Sequence, residues 1–330
     1  MSGGPYANAS SFMGMAIEAT RGTAAATPTM FVPVKGPKIQ PVLTTVDTDV
    51  LIGSMVPIND QLITARHDEY SFTTFAYVDT LPALMRALLG SADTIVGTAS
   101  PYTHTMSLLN SASTDGNQPP SYTFWDYDGY KLRILAGGMV DELGFKFTAT
   151  GLVEVTVKVV ALPYTVADIG AVTTAFTTVE AAPAWSVVSS INSVTTTPIV
   201  EGTLSFKRGV KALHTLGATA PFRLFAGPLD CAGCNLTVIN QADTEQLLAL
   251  AGTAFPVSFT FSPPTSTGLS FKFQLSTVKA SQTHQERGGD GMIITQMDLK
   301  PIANATDPTA TSGGVSPVKF VAVTAQATTY

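Results

Sequence analysis

Charged side chains are scarce in this sequence. Lys, Arg, Asp and Glu supply 13% of the 330 residues, against about a quarter in an ordinary soluble domain. Hydrophobic residues reach 45% and mean hydropathy is +0.25, so much of the surface is expected to face other protein. Long apolar runs are also absent. No stretch approaches the ~18 uninterrupted apolar residues of a spanning helix, and no membrane insertion is expected. The opening MSGGPYANASS lacks the basic start and apolar centre of a secretory signal. Cysteine is limited to Cys231 and Cys234, which excludes a disulfide-stapled scaffold and fits synthesis in a reducing cytoplasm. Basic residues, 18 against 24 acidic ones, leave a net charge of -6 and a pI near 5.2. Tight binding of nucleic acid needs a concentrated basic face, so it is not expected.

Signatures of chemistry are missing as well. There is no Gly-x-Ser-x-Gly elbow, no P-loop and no dinucleotide-binding glycine pattern, so neither catalysis nor a cofactor is expected. The histidines at 67, 104, 214 and 284 stand in unrelated contexts. Cys231-Ala-Gly-Cys234 is half of a zinc site, and no second pair completes it. His284-Gln285-Glu286 follows that pair, whereas a deaminase signature needs it to precede. No metal is expected, and the two cysteines read as small apolar filler beside a turn at Gly233. The acidic pairs Asp47 and Asp49, Asp126 and Asp128, and Asp141 and Glu142 read as turn chemistry and solvated strand ends rather than a calcium cluster. Lys207, Arg208 and Lys211, the densest basic group, read as solvated surface. Asn8, Asn235 and Asn304 head glycosylation sequons that matter only in a secretory compartment.

What is present is alternation. From Met30 onward, short apolar runs alternate with polar residues between Gly, Pro, Asn and Asp, which predicts half-buried antiparallel strands. One hairpin is expected over Tyr122–Leu135, with Asp128-Gly129 as a type I′ turn. A second sets Phe145, Phe147 and Ala149 against Val153, Val155, Val157 and Val159 across Gly151. A third pairs Phe255, Val257, Phe259 and Phe261 with Leu269, Phe271, Phe273 and Leu275.

Two segments switch to helical spacing. TLPALMRALLG has Pro82 in its first turn and Gly90 as its stop, with Leu84 and Leu88 on the packing face. DTEQLLALAG opens with a capping box at Asp243 and Gln246, ends at Gly252, and offers Leu247 and Leu248 for packing. The organisation is then a small, polar N-terminal arm over 1–29, a first β region over 30–162, a connecting loop over 163–198, a second β region over 199–300 and a C-terminal segment over 301–330. Each β region runs strands, short helix, strands, a pattern that an old duplication would leave. The polar stretch Ser91–Pro120 reads as a further long loop.

Several ordered stretches resemble the tail tube proteins of long-tailed, non-contractile bacteriophages, especially those infecting actinobacteria. They are FMGMAIEATRGTAAATPTMFVPVKG near the start, with a Gly-x-x-x-Glu segment and a Gly-Thr-Ala turn, then GTLSFKRGVKALHTLGATAPFRLFAGPLDCAGCNLTVIN, then PIANATDPTATSGGVSPVKF. The resemblance implies an antiparallel β-sandwich or half-barrel with one or two flanking helices and long arms. It implies a structural virion protein in the tail, assembled from the host cytoplasm. The protein would polymerise as stacked rings, typically of six copies, into a hollow tube. Its partners would be itself, the tape measure protein, and the tail tip and terminator proteins, with DNA only in transit. An acidic or neutral bore repels phosphate, and Asp141, Glu142 and Glu154 are the candidate bore-facing residues. Two alternatives stay open: the tube of a contractile tail or injection apparatus, and a virion surface or receptor-binding β module.

Overall fold

The computed structural model describes residues 10–50, 53, 55, 56, 58–111, 115–170, 174–195, 198–231, 233–240, 244–287 and 292–330. Its elements begin with β1 (Phe12–Ile17), β2 (Met30–Val32), β3 (Lys35–Thr48), β4 (Asp60–Phe75), α1 (Leu81–Leu89), β5 (Thr94–Val96), β6 (Tyr102–Ser107) and β7 (Tyr122–Tyr127). They continue with β8 (Leu132–Thr148), β9 (Glu154–Ala161), β10 (Thr165–Ala167), β11 (Val188–Ile191), β12 (Val194–Thr195), β13 (Ile199–Lys207), β14 (Lys211–Leu213) and β15 (Arg223–Phe225). The last are β16 (Cys234–Ile239), α2 (Thr244–Leu250), β17 (Phe255–Phe261), β18 (Ser270–Arg287), β19 (Ile293–Pro301) and β20 (Lys319–Thr324).

Pairing between named strands is antiparallel throughout and builds a mainly β, sandwich-like molecule. A front sheet runs β3-β4-β9-β8-β13-β16-β19-β18. A back sheet runs β12-β11-β17-β18-β20-β6-β5. The long strand β18 belongs to both: Ser270–Gln274 pairs with β20, and Val278–Arg287 pairs with β19. Between the two sheets lies an aromatic core, because alternate residues of every strand point inward. Phe145 meets Phe273 at 4.8 Å between ring centres, and Phe147 meets Phe259 and Phe261, each at 5.4 Å. Gly202 of β13 leaves room for this arrangement. A Cβ there would lie 2.3 Å from Phe147 Cζ, so no larger residue fits under that ring.

The second and third expected hairpins form, with Phe145 opposite Val155 and Phe259 opposite Phe273; in the third, a register shift between Phe255 and Val257 sets Phe255 opposite Val278. The first forms with a different turn. Among the described non-glycine residues positive φ is confined to Asn117, Asn192 and Ser193, so Asp128 does not take the φ > 0 that type I′ needs, whereas Gly129 (φ 90°) does. Asp128 instead closes a four-residue turn with its side chain, Oδ1 accepting from the N–H groups of Tyr130 (2.9 Å) and Lys131 (2.8 Å). Helix α1 follows its sequence signals, with Pro82 at its start and Gly90 (φ 87°) donating its N–H to Arg86 O. Leu84 and Leu88 are fully buried. In α2, Leu248 packs against the core, whereas Leu247 is 61% exposed; one short helix lying on β18 can bury a single row of side chains. Asp243, half of the expected capping box, lies outside the described residues.

Sequence reading assigns 1–29 to an arm, yet Phe12–Ile17 is an inner strand. β1 sits between β2 and β7, with Met13 and Met15 buried. The small residues there serve close packing: a Cβ on Gly14 would meet Pro28 Cβ at 2.7 Å. Glu18 then anchors the segment, accepting from Gly22 N (2.8 Å), Ser121 Oγ (2.6 Å), Thr123 Oγ1 (2.8 Å) and Gly137 N (2.7 Å). The stretch Ser91–Pro120 likewise contains β5 and β6, joined to the back sheet through β20.

Candidate assembly surfaces

Three places could carry function: the outward face of the front sheet, the hairpin β3–β4, and the buried titratable groups. On the outward face, side chains directly opposite one another in the ladder form polar rows. One row runs Glu154, Lys146, Thr203, Asn235, Asp298 and Gln282 across six strands. A second runs Thr148, Glu201, Thr237, Gln296 and His284. A third runs Ser71, Lys158, Glu142 and Lys207. Together these rows hold the carboxylates Glu142, Glu154, Glu201 and Asp298 against Lys146, Lys158 and Lys207. These rows are nearly charge-balanced, and Glu142 and Glu154 each stand opposite a lysine. Lys158 Nζ donates to Glu142 Oε2 at 2.6 Å, and that hydrogen bond holds the lysine above its usual pKa.

Glu142 and Glu154, two of the three expected bore residues, therefore share this face. Asp141 does not work with them. It falls at the irregularity between Val140 and Glu142, where its Oδ1 accepts from Val210 N and its carbonyl from Arg208 N, both at 2.7 Å. Its role is to hold the turn after β13.

The hairpin β3–β4 was not singled out by sequence. It stays paired from Lys35 opposite Thr73 to Thr48 opposite Asp60, but β9 supports β4 only over Asp68–Phe75. Beyond Asp68 the ribbon leaves the sandwich. Val46 and Leu62 pair on one face, while Leu43 and Ile63 lie on the other, and all four are exposed. Its root is fixed by buried Asp68, which accepts from Arg66 Nε and from Tyr164 N (2.6 Å) while the Arg66 guanidinium lies over the Tyr164 ring. Beside the root a groove of about 920 Å3 is lined by Phe12, Lys38, Asp126, Arg133 and Tyr164 among others. Burial pushes the Asp126 carboxyl upward and Tyr70 well above its usual range, and the two share a 3.2 Å hydrogen bond.

The buried groups are enclosed by neighbouring residues. His104 Nδ1 lies 2.6 Å from Asp93 Oδ2, an arrangement that begins a catalytic dyad. Its Nε2, the nitrogen that would face a nucleophile, is instead held 2.9 Å from the main-chain oxygen of Gln326. Tyr330 closes over the imidazole at 4.8 Å between ring centres. Cys231 and Cys234 are both unpaired and buried, and burial pushes both thiols up to about 12. Because the thiolate is the reactive form, the folded protein is expected to resist iodoacetamide at about pH 8 and to take up two labels per chain once denatured. Intact-mass measurement checks this, and fast labelling of native protein would show that the Cys231 turn opens. Among the described residues no group of three or more His, Cys, Asp or Glu could hold a metal ion. No described helix is long and apolar enough to cross a membrane.

The molecule is an antiparallel β-sandwich with a polar outer face and a projecting two-stranded ribbon. The chain matches the phage tail tube protein family over residues 8–327, nearly its whole length, and it belongs to that family. It is a structural protein of the phage tail. No curated protein matches it.

Proposed function

We propose that the chain closes into rings, six copies in each, that stack into a hollow tube through which DNA passes, and that it does so without catalysing a reaction. The observation that carries this reading is the front sheet. Among the described residues β3 pairs with no strand but β4, and Lys279–Arg287 of β18 pairs with no strand but β19. Long open edges on an apolar, low-charge protein invite strand pairing with another chain. Closing the sheet round a ring satisfies both edges with the same groups. The polar face then supports the role of bore lining. A duplex sliding past it meets nearly balanced charge and releases few counterions, so it is not held. Tape measure, tip and terminator proteins would meet the ends of such a tube.

Negative-stain electron microscopy of the purified protein across a concentration series tests the proposal. Hollow filaments or rings of uniform diameter are expected. Compact monomers at every concentration, or small closed oligomers, would overturn it.

A further inference from the structure

The strongest basic cluster of the chain begins at Lys207, at the end of the outward face's third row, and continues beyond that face. From Lys207 to Leu229 the sequence holds Lys207, Arg208, Lys211 and Arg223 and no acidic residue. Arg208 is buried and Lys207 stands opposite Glu142 across the ladder, so Lys211 and Arg223 are the basic side chains that the ledge carries beyond the front face. The same segment folds as the separate two-stranded sheet β14–β15 and exposes Leu213, Leu216, Phe222 and Phe225, with Leu216 and Phe222 the most open. It forms a ledge that is at once apolar and basic. The hairpin β3–β4 is its complement. Between Ile39 and Ala65 the sequence has Asp47, Asp49 and Asp60 and no Lys or Arg, among the exposed Leu43, Val46, Leu62 and Ile63.

We propose that the ledge over Lys207–Leu229 receives the β3–β4 hairpin of a second copy of this chain. The proposal rests on the tube reading and gives it a specific contact. A two-stranded ribbon with both faces in water is marginal alone, so the exposed hairpin needs a partner surface. Its own ledge cannot serve. Arg66 N donates to Thr219 O, which fixes the ledge beside the hairpin root, while the acidic end around Asp60 lies about 20 Å farther along a continuous ribbon, at about 3.3 Å per residue. Hairpin and ledge are different patches, so the contact is heterologous and propagates into rings or filaments instead of closing a two-fold dimer. Apolar burial would supply affinity, and the opposed charges would set partner choice and register.

The test reverses charge on each side separately in the full chain. One variant carries Asp47→Lys, Asp49→Lys and Asp60→Lys; the other carries Lys207→Glu and Lys211→Glu. Each alone is expected to raise the concentration needed for filaments about tenfold or more. An equimolar mixture is expected to assemble again, because each reversed hairpin then meets a reversed ledge. Recovery also shows that both variants are folded. Two variants that assemble like the parent would overturn the ledge contact while leaving the tube reading intact, and a parent that never assembles would remove both. As a second measurement, Val46→Cys with Leu213→Cys should give intermolecular ladders with a bismaleimide in assembled protein, the native thiols being buried. No ladder in assembled protein would overturn the contact.

Discussion

Glu18→Ala is expected to remove about 4 kcal/mol of folding stability, measured by chemical denaturation. Glu18 is only 9% exposed and its carboxylate accepts four hydrogen bonds, two from main-chain N–H groups and two from hydroxyls. Bonds to a charged acceptor contribute about 1.5–3 kcal/mol each, and a buried donor left alone costs about 1–3 kcal/mol. Ser121 and Thr123 can rotate their hydroxyls toward other acceptors, which brings the sum down. The N–H groups of Gly22 and Gly137 have no such freedom. Glu18→Gln should cost roughly half as much, because its amide NH2 group faces two of the four donors while its oxygen still serves the other two. A loss under about 1 kcal/mol for the alanine variant would mean that water replaces the carboxylate, and that β1 is held by its ladder alone.

The same residue shows where sequence reading works and where it stops. Hairpins and helices that depend on local signals were legible: alternation in Phe255–Phe261, the Val153–Val159 row, and Pro82 with Gly90 around α1. The arm assignment for 1–29 was built on small polar composition. Composition cannot show that Gly14 is small because Pro28 presses on it, nor that Glu18 gathers donors from 103 and 119 residues away. Long-range satisfaction of a buried carboxylate leaves only a single acidic letter in the sequence.

The projecting hairpin was missed for a different reason. Alternation reports a strand with one wet and one dry face, and β3–β4 beyond Asp68 has two wet faces. Apolar residues fall on both faces, Val46 and Leu62 on one, Leu43 and Ile63 on the other. The readable signal was electrostatic instead: a run from Ile39 to Ala65 with three Asp and no basic residue. Of the three acidic residues expected to line a bore, Glu142 on β8 and Glu154 on β9 share the outward face, and Asp141 does not. Their lysine partners arrive from neighbouring strands, Lys158 and Lys146, and pairing across strands turns an apparently acidic patch into a balanced one. Asp128 shows the reverse effect on a small scale. Although partial burial acts upward on its carboxyl, the N–H groups of Lys131 and Tyr130 and the Arg133 guanidinium hold it below its ordinary pKa. Its contribution is present above the unfolded-state pKa and is lost as pH falls through the folded one.

Phe273→Ala is expected to cost about 4 kcal/mol, the range for truncating a fully buried phenylalanine. The case is stronger than burial alone, because Phe273 joins the two sheets. Its ring centre lies 4.8 Å from Phe145 and 6.3 Å from Phe206 in the front sheet, and 6.0 Å from Phe271 and 5.4 Å from Phe320 in the back sheet. Such aromatic pairs add about 0.5–1.5 kcal/mol each beyond area. The hole left by alanine faces rings on β8, β13 and β20, three strands each fixed by its own ladder, so collapse into it would be partial. Phe273→Leu keeps most of the volume and should cost about 1–1.5 kcal/mol. The ratio between the two variants, read from denaturant midpoints at unchanged slope, is the informative quantity. A large alanine effect with a small leucine effect means that the two sheets are held together by a filled core between them. Equal and small effects would mean that the shared strand β18 alone holds the sheets together, and a ring built from that front sheet would have to take its shape from neighbouring copies.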